Sequence, residues 1–216
     1  MLSSYSKNFV PVLFALSLGI FPQLFAPAQA ETVLVYDFED SNGDFDLNAD
    51  LVASALDPAA WQVAASSIRD FSGNPGRAMA SSGFSTGNTF LLNVAVEPGT
   101  VVQLSGFAFD QLASASGPAS WQLEINGFEV ASGATTGSFS TESALFDFAP
   151  LTDAFVIGLS GAGASSNLGT FRVDNFTLSA NIQPVPLPAS SGLLAAACLG
   201  LGSYKRKTHL PLNTPS

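Results

Sequence analysis

Ser120-Trp121-Gln122-Leu123-Glu124-Ile125-Asn126-Gly127-Phe128-Glu129-Val130 is the stretch that decides the fold. Trp121, Leu123 and Ile125 alternate with polar residues, the period-two pattern of a strand with one buried face. Asn126-Gly127 suits a two-residue type I′ turn, because both central positions need positive φ. That turn pairs Ile125 with Phe128 and Leu123 with Val130, placing all four side chains, and Trp121, on one inward face.

Outward from this hairpin, Gly, Ser and Thr punctuate the chain roughly every eight to twelve residues, the rhythm of an all-β sandwich. No stretch sustains the i, i+3, i+4, i+7 spacing of a helix. Further strands are predicted over Thr32–Phe38, Ala60–Ala64, Ala78–Ser82, Thr89–Val96, Thr100–Asp110, Ser143–Phe148, Ala154–Ser160 and Gly169–Ser179. Phe155, Ile157 and Leu159 should point inward. In the last strand Phe171 and Val173 share one face while Phe176 and Leu178 fall on the other. Either both faces are covered, or a bulge near Asp174-Asn175 resets the register. The expected domain is a two-sheet antiparallel jelly roll over residues 31–182.

Charge is unevenly spread. All 17 Asp and Glu lie between Glu31 and Asp174, where Arg69, Arg77 and Arg172 are the only bases, leaving a formal charge of −14. Such a body is repelled by phosphate backbones, so nucleic acid is not an expected partner. The lone cysteine, Cys198, and the lone histidine, His209, both lie near the C-terminus. The body therefore lacks the groups behind most nucleophilic, acid–base and zinc chemistry. No G-x-S-x-G or H-E-x-x-H is present. No catalytic residue and no enzyme activity is expected.

The two ends read differently. Lys7, an apolar run over Phe9–Phe21 and Ala28-Gln29-Ala30 have the order of a helical secretory signal peptide over residues 1–30. Signal peptidase would cut after Ala30. The alternative is an uncleaved membrane helix, which Pro22 and Pro27 oppose. At the other end, residues 183–190 are rich in proline and should be extended and accessible. An uncharged, mainly apolar run follows over residues 191–204, expected as a short hydrophobic helix. Lys205, Arg206 and Lys207 come next and would hold the tail, residues 205–216, on the cytoplasmic side of the inner membrane. A plain C-terminal anchor is the simpler alternative.

Val185-Pro186-Leu187-Pro188-Ala189, the apolar run and the basic cluster, in that order, resemble the PEP-CTERM sorting signals of Gram-negative bacteria, in the VPLPA variant. Leu187 stands where the usual signal has an acid. Thr208–Ser216 extends past the point where most members stop. The resemblance implies recognition by an exosortase-like membrane transpeptidase, a transient membrane-anchored intermediate, and final placement at the cell surface or outside the cell.

Between Asp37 and Asp50 the chain carries six acids, with Asn42 and Gly43 among them. Alternating Asp and Asn in such a loop can converge oxygens on Ca²⁺, although the spacing is not that of an EF-hand. A solvated acidic loop is the alternative. Leu34-Val35-Tyr36-Asp37-Phe38-Glu39 near the start and Phe171-Arg172-Val173-Asp174-Asn175-Phe176 near the end weakly resemble the jelly-roll carbohydrate-binding modules and galactose-binding-like domains. That resemblance implies adjacent first and last strands, and a structural calcium ion held by the matching acids. The calcium ligands expected on these grounds are Glu39, Asp40 and Asp174, then Asp44 and Asp46.

Trp61 is weighed as a sugar-stacking platform, and Arg77 and Arg172 are expected to pair with carboxylates. Together these features point to an exported, non-catalytic surface or matrix protein serving adhesion or matrix structure. The alternative is a carbohydrate-binding module with a defined glycan. Exopolysaccharide is the partner class common to both.

Overall fold

The computed structural model describes residues 30–185. The signal-peptide, hydrophobic-helix and basic-cluster readings, and Pro186 to Ala189 of the sorting motif, lie outside these residues. Among the described residues, no helix is long and apolar enough to cross a membrane.

Among the described residues, thirteen strands form two antiparallel sheets, a sandwich of jelly-roll type, with one short 3-10 turn beside them. The strands are β1 (Glu31–Tyr36), β2 (Leu51–Val52), β3 (Leu56–Pro58), β4 (Gln62–Val63), β5 (Arg69–Ser72), β6 (Arg77–Ser81) and β7 (Thr89–Val96). They continue with β8 (Thr100–Ala113), β9 (Ser120–Ile125), β10 (Phe128–Ala134), β11 (Ser140–Leu145), β12 (Phe155–Ala162) and β13 (Phe171–Pro184). The seven-stranded sheet runs β11-β8-β13-β1-β2, with β6 joining β13 and β5 joining β6. The six-stranded sheet runs β10-β9-β12-β7-β3, with β4 beside β7. β1 and β13 are neighbours: Tyr36 pairs with Phe176.

Period-two alternation builds the core. Trp121, Leu123 and Ile125 of β9, and Phe155, Ile157 and Leu159 of β12, all point inward and are buried. They meet Phe107 and Phe109 of β8, with Trp121 edge-on to both rings. The buried aromatic rings fill the space between the sheets, where each removes a large apolar area from water.

Of the two readings of the last strand, the structure has the bulge. The β13–β8 register shifts between Asp174 and Thr177, and Asn175 sits at φ 49°. The slip lets Phe171 and Val173 share the inner face with Phe176 and Leu178, all four fully buried.

The hairpin register departs from expectation at one point. Asn126 (φ 51°) and Gly127 (φ 78°) make the turn, and Ile125 opposes Phe128. A bulge between Glu129 and Ala131 then sets Ala131, not Val130, opposite Leu123. β10 is an edge strand without a second neighbour to hold its register, and its first residue, Phe128, is 68% exposed. β13 also outruns the expected domain end at Ile182. Gln183 and Pro184 still pair with Val101 and Thr100, and the Val185 N–H donates to Gly99 O at 2.8 Å.

Candidate functional site

Two polar features stand apart from the core. The first is a carboxylate cluster on the outer face of the seven-stranded sheet. Asp110 of β8 and Asp174 of β13 are cross-strand partners, and both are buried. The turn between β5 and β6, with a cis Asn74–Pro75 bond, covers them. Asn74 N–H donates to Asp174 Oδ2 at 2.6 Å and Asn175 N–H to Asp174 Oδ1 at 2.8 Å. Asp110 Oδ2 accepts from Asn175 Nδ2 at 2.9 Å, and Asp110 Oδ1 from Thr141 Oγ1 at 2.5 Å. Glu39 reaches the far side of the same turn and accepts from Arg77 N–H at 2.5 Å.

Burial is the main cause that pushes the Asp174 carboxyl up to about 6. The Asn74 and Asn175 N–H groups oppose it, and the Asp110 and Glu39 carboxylates add to it. Among the described residues the one ion pair is Arg77–Asp70, at 3.0 Å and exposed, so no guanidinium answers this cluster.

The acidic loop before it is organised by local turns. Asp40 accepts from Asn42 N–H at 2.8 Å and Asp44 N–H at 3.0 Å, and those backbone donors hold its carboxyl below the ordinary value. Asp46 accepts from Leu47 and Asn48 N–H. Burial raises the Asp50 carboxyl, which also accepts from Asp37 N–H. Of the five expected calcium ligands, the structure therefore brings Glu39 and Asp174 to one turn, while Asp40, Asp44 and Asp46 stay in the preceding loop. Among the described residues, no three His, Cys, Asp or Glu form a group able to hold a metal ion.

The second feature is a trough of about 420 Å³ on the outer face of the six-stranded sheet. Its floor is Ser120 and Gln122 of β9, flanked by Ser132 and Ala134 of β10 and Ser160 and Ala162 of β12. These side chains alternate with the inward-facing core residues, so small polar groups there leave an open, flat surface. Gln122 Nε2 donates to Glu124 Oε1 and Glu129 Oε2, both at 3.0 Å, and Ser132 Oγ donates to Glu129 Oε1 at 2.8 Å.

One weighed alternative falls and one expectation is corrected. Trp61 is no sugar platform: it is 2% exposed and packs edge-on against Phe176 and Tyr36. The adjacent β4 turns its ring into the core. Arg172 does not pair with a carboxylate; it lies over the Phe71 ring at 4.6 Å and donates to Ser72. Arg77 does pair, with Asp70. Asp110, Asn74 and Thr141 carry no local signal in the sequence, because only strand pairing and the β5–β6 turn bring them together with Asp174.

No protein-family model and no curated protein matches the chain. Among solved structures, the chain is similar to all-β carbohydrate-binding modules. One is the module CBM36 in complex with calcium and xylotriose: 15% identity, TM-score 0.39, covering 55% of this chain and 92% of that one. Another is a CBM29-2 mutant complexed with mannohexaose: 13% identity, TM-score 0.41, covering 70% and 92%. A third is the family 11 module from Clostridium thermocellum with a mixed-linked tetrasaccharide: 16% identity, TM-score 0.38, covering 68% and 96%. These likenesses concern the fold alone.

Proposed function

We propose that the chain is an exported, non-catalytic surface or matrix protein whose sandwich holds an extracellular polysaccharide in the trough over β9. The observation that carries this reading is the chemistry of the trough. Its serine hydroxyls, the Gln122 amide and the Glu129 carboxylate offer donors and acceptors side by side. Sugar hydroxyls are themselves both donors and acceptors, so a polyhydroxylated chain can meet both kinds of group. Small side chains over three strands leave room for it to lie flat. Trp121 is among the residues that line the trough, but its ring is buried in the core at 4% exposure, so binding rests on hydrogen bonds exchanged with water and is weak per sugar.

Affinity electrophoresis of the secreted protein through gels cast with bacterial exopolysaccharides, xylan or glucomannan tests the reading. Retardation by at least one polymer is expected, and Gln122→Ala with Glu129→Ala should abolish it. Free migration of the unaltered protein through every gel removes the proposal.

Export and sorting belong to the same reading. The signal peptide would be removed after Ala30, and an exosortase-like transpeptidase would act at Val185–Ala189. In support, the strand that ends at Pro184 delivers Val185, 43% exposed, straight into that motif. Fractionating cells that make the full chain, or a chain ending at Val185, tests this. The cut falls there because Gln183 and Pro184 belong to β13. Identical partitioning of the two versions refutes the sorting role.

A specific observation also supports calcium. Glu39, Asp110 and Asp174 crowd one turn with no cationic side chain bonded to them. A divalent ion held by Glu39 and Asp174, with carbonyl oxygens of the turn completing the oxygen shell, would relieve that repulsion. Melting temperatures that are equal in EDTA and in millimolar Ca²⁺ would exclude it.

A further inference from the structure

The open edge between the two sheets carries a second cluster, which the glycan reading does not use. Gln111 of β8 points inward there and is fully buried. Its register partner on β11 is Ser140, and Glu142 stands one inward position further along. Gln111 Nε2 lies 2.9 Å from Ser140 Oγ, 3.2 Å from Thr136 Oγ1, 3.3 Å from Glu142 Oε1 and 3.4 Å from Ala134 O. An amide nitrogen has two hydrogens, and four acceptors surround this one. Gln111 Oε1 accepts from Thr136 N–H at 3.3 Å, and Ser140 Oγ donates to Glu142 Oε1 at 3.1 Å.

Nucleophile, base and electrophile thus stand in hydrogen-bonded sequence: a hydroxyl on a carboxylate, beside a carboxamide whose oxygen meets a backbone N–H. We propose that Ser140 and Gln111 join in an intramolecular ester that ties β11 to β8. Glu142 takes the Ser140 hydroxyl proton as Oγ attacks Gln111 Cδ. The Thr136 N–H steadies the oxyanion of the tetrahedral intermediate. The Cδ–Nε2 bond then breaks, Glu142 returns the proton to the departing nitrogen, and ammonia leaves. One C–O bond forms, one C–N bond breaks, and no oxidant, metal or second substrate is needed. The step occurs once per chain, and burial of Gln111 shields the product from water.

Mass spectrometry of the secreted full chain, aged at neutral pH, tests this. The expected protein is lighter by one ammonia than its processed sequence, with the Gln111 and Ser140 peptides joined and separated again by hydroxylamine. Ser140→Ala should restore the full mass, and Glu142→Gln should slow joining by about 10²-fold or more. Three results overturn the proposal: unmodified Gln111 in a separate peptide, hydrolysis of Gln111 to Glu without joining, or joining through Thr136. The unaltered chain decides the matter by itself, so a variant that fails to fold does not obscure it.

Discussion

Asp110 and Asp174 face each other across β8 and β13, and the turn carrying Asn74 closes over both. Like charges directly opposite on a sheet destabilise it, more so when water is excluded. Amide donors from Asn74 and Asn175 offset part of that cost.

The pair makes stability depend on pH. The folded Asp174 carboxyl titrates near 6, above its ordinary value of 3.8, so the native state keeps a proton that the unfolded chain has released. This contribution is fully present below the ordinary value and is lost as pH rises through about 6. A shift of that size corresponds to on the order of 2–3 kcal/mol. In EDTA, the melting temperature should fall from pH 5 to pH 8, and Asp174→Asn should flatten that part of the profile. A profile unchanged by the substitution contradicts the assignment.

Gly76 sits at φ 77°, and a Cβ there would overlap the Glu39 carboxylate. Gly76→Ala combines left-handed strain with displacement of Glu39 from Arg77 N–H. A loss of about 1–3 kcal/mol in urea unfolding is expected. Gly43→Ala has the same positive φ but no atom near its Cβ, and should cost only the conformational part, about 1 kcal/mol.

Trp61→Ala removes a buried ring from contact with Tyr36 and Phe176 and should cost about 3–5 kcal/mol in chemical denaturation. Where the variant remains folded, retardation by polysaccharide should be unchanged. Loss of binding with normal stability would return the ring to the ligand.

Asn126 holds φ 51° in the hairpin turn, and its Oδ1 accepts from Val156 N–H at 2.8 Å. Asn126→Ala loses both, for an expected 1–2 kcal/mol, roughly, by thermal or denaturant unfolding. Asn126→Gly keeps the backbone and should cost less.

Local pattern made the long strands legible. Alternation placed β7 at Thr89–Val96, and four apolar side chains out of phase left either a strand covered on both faces or a bulge near Asp174-Asn175, of which the structure has the bulge. The short pieces β2, β3 and β5 carry too few residues to show a period, and they exist because longer neighbours pair with them. Trp61 illustrates the same limit, since nothing adjacent in sequence says that Tyr36 and Phe176 enclose it. At the carboxylate cluster, the acids could be read one by one. Asp110 and Asn74 could not, because their meeting with Asp174 spans 64 and 100 positions of chain and arises only from sheet order.

β13 has a mechanical consequence. Its fourteen residues lie between β8 on one side and β6 then β1 on the other, and it leads directly out through Val185. Its ladder bonds run across the strand. Tension applied at the carboxyl end therefore loads many bonds together in shear instead of peeling them singly, so the body would hold fast to whatever tether carries it.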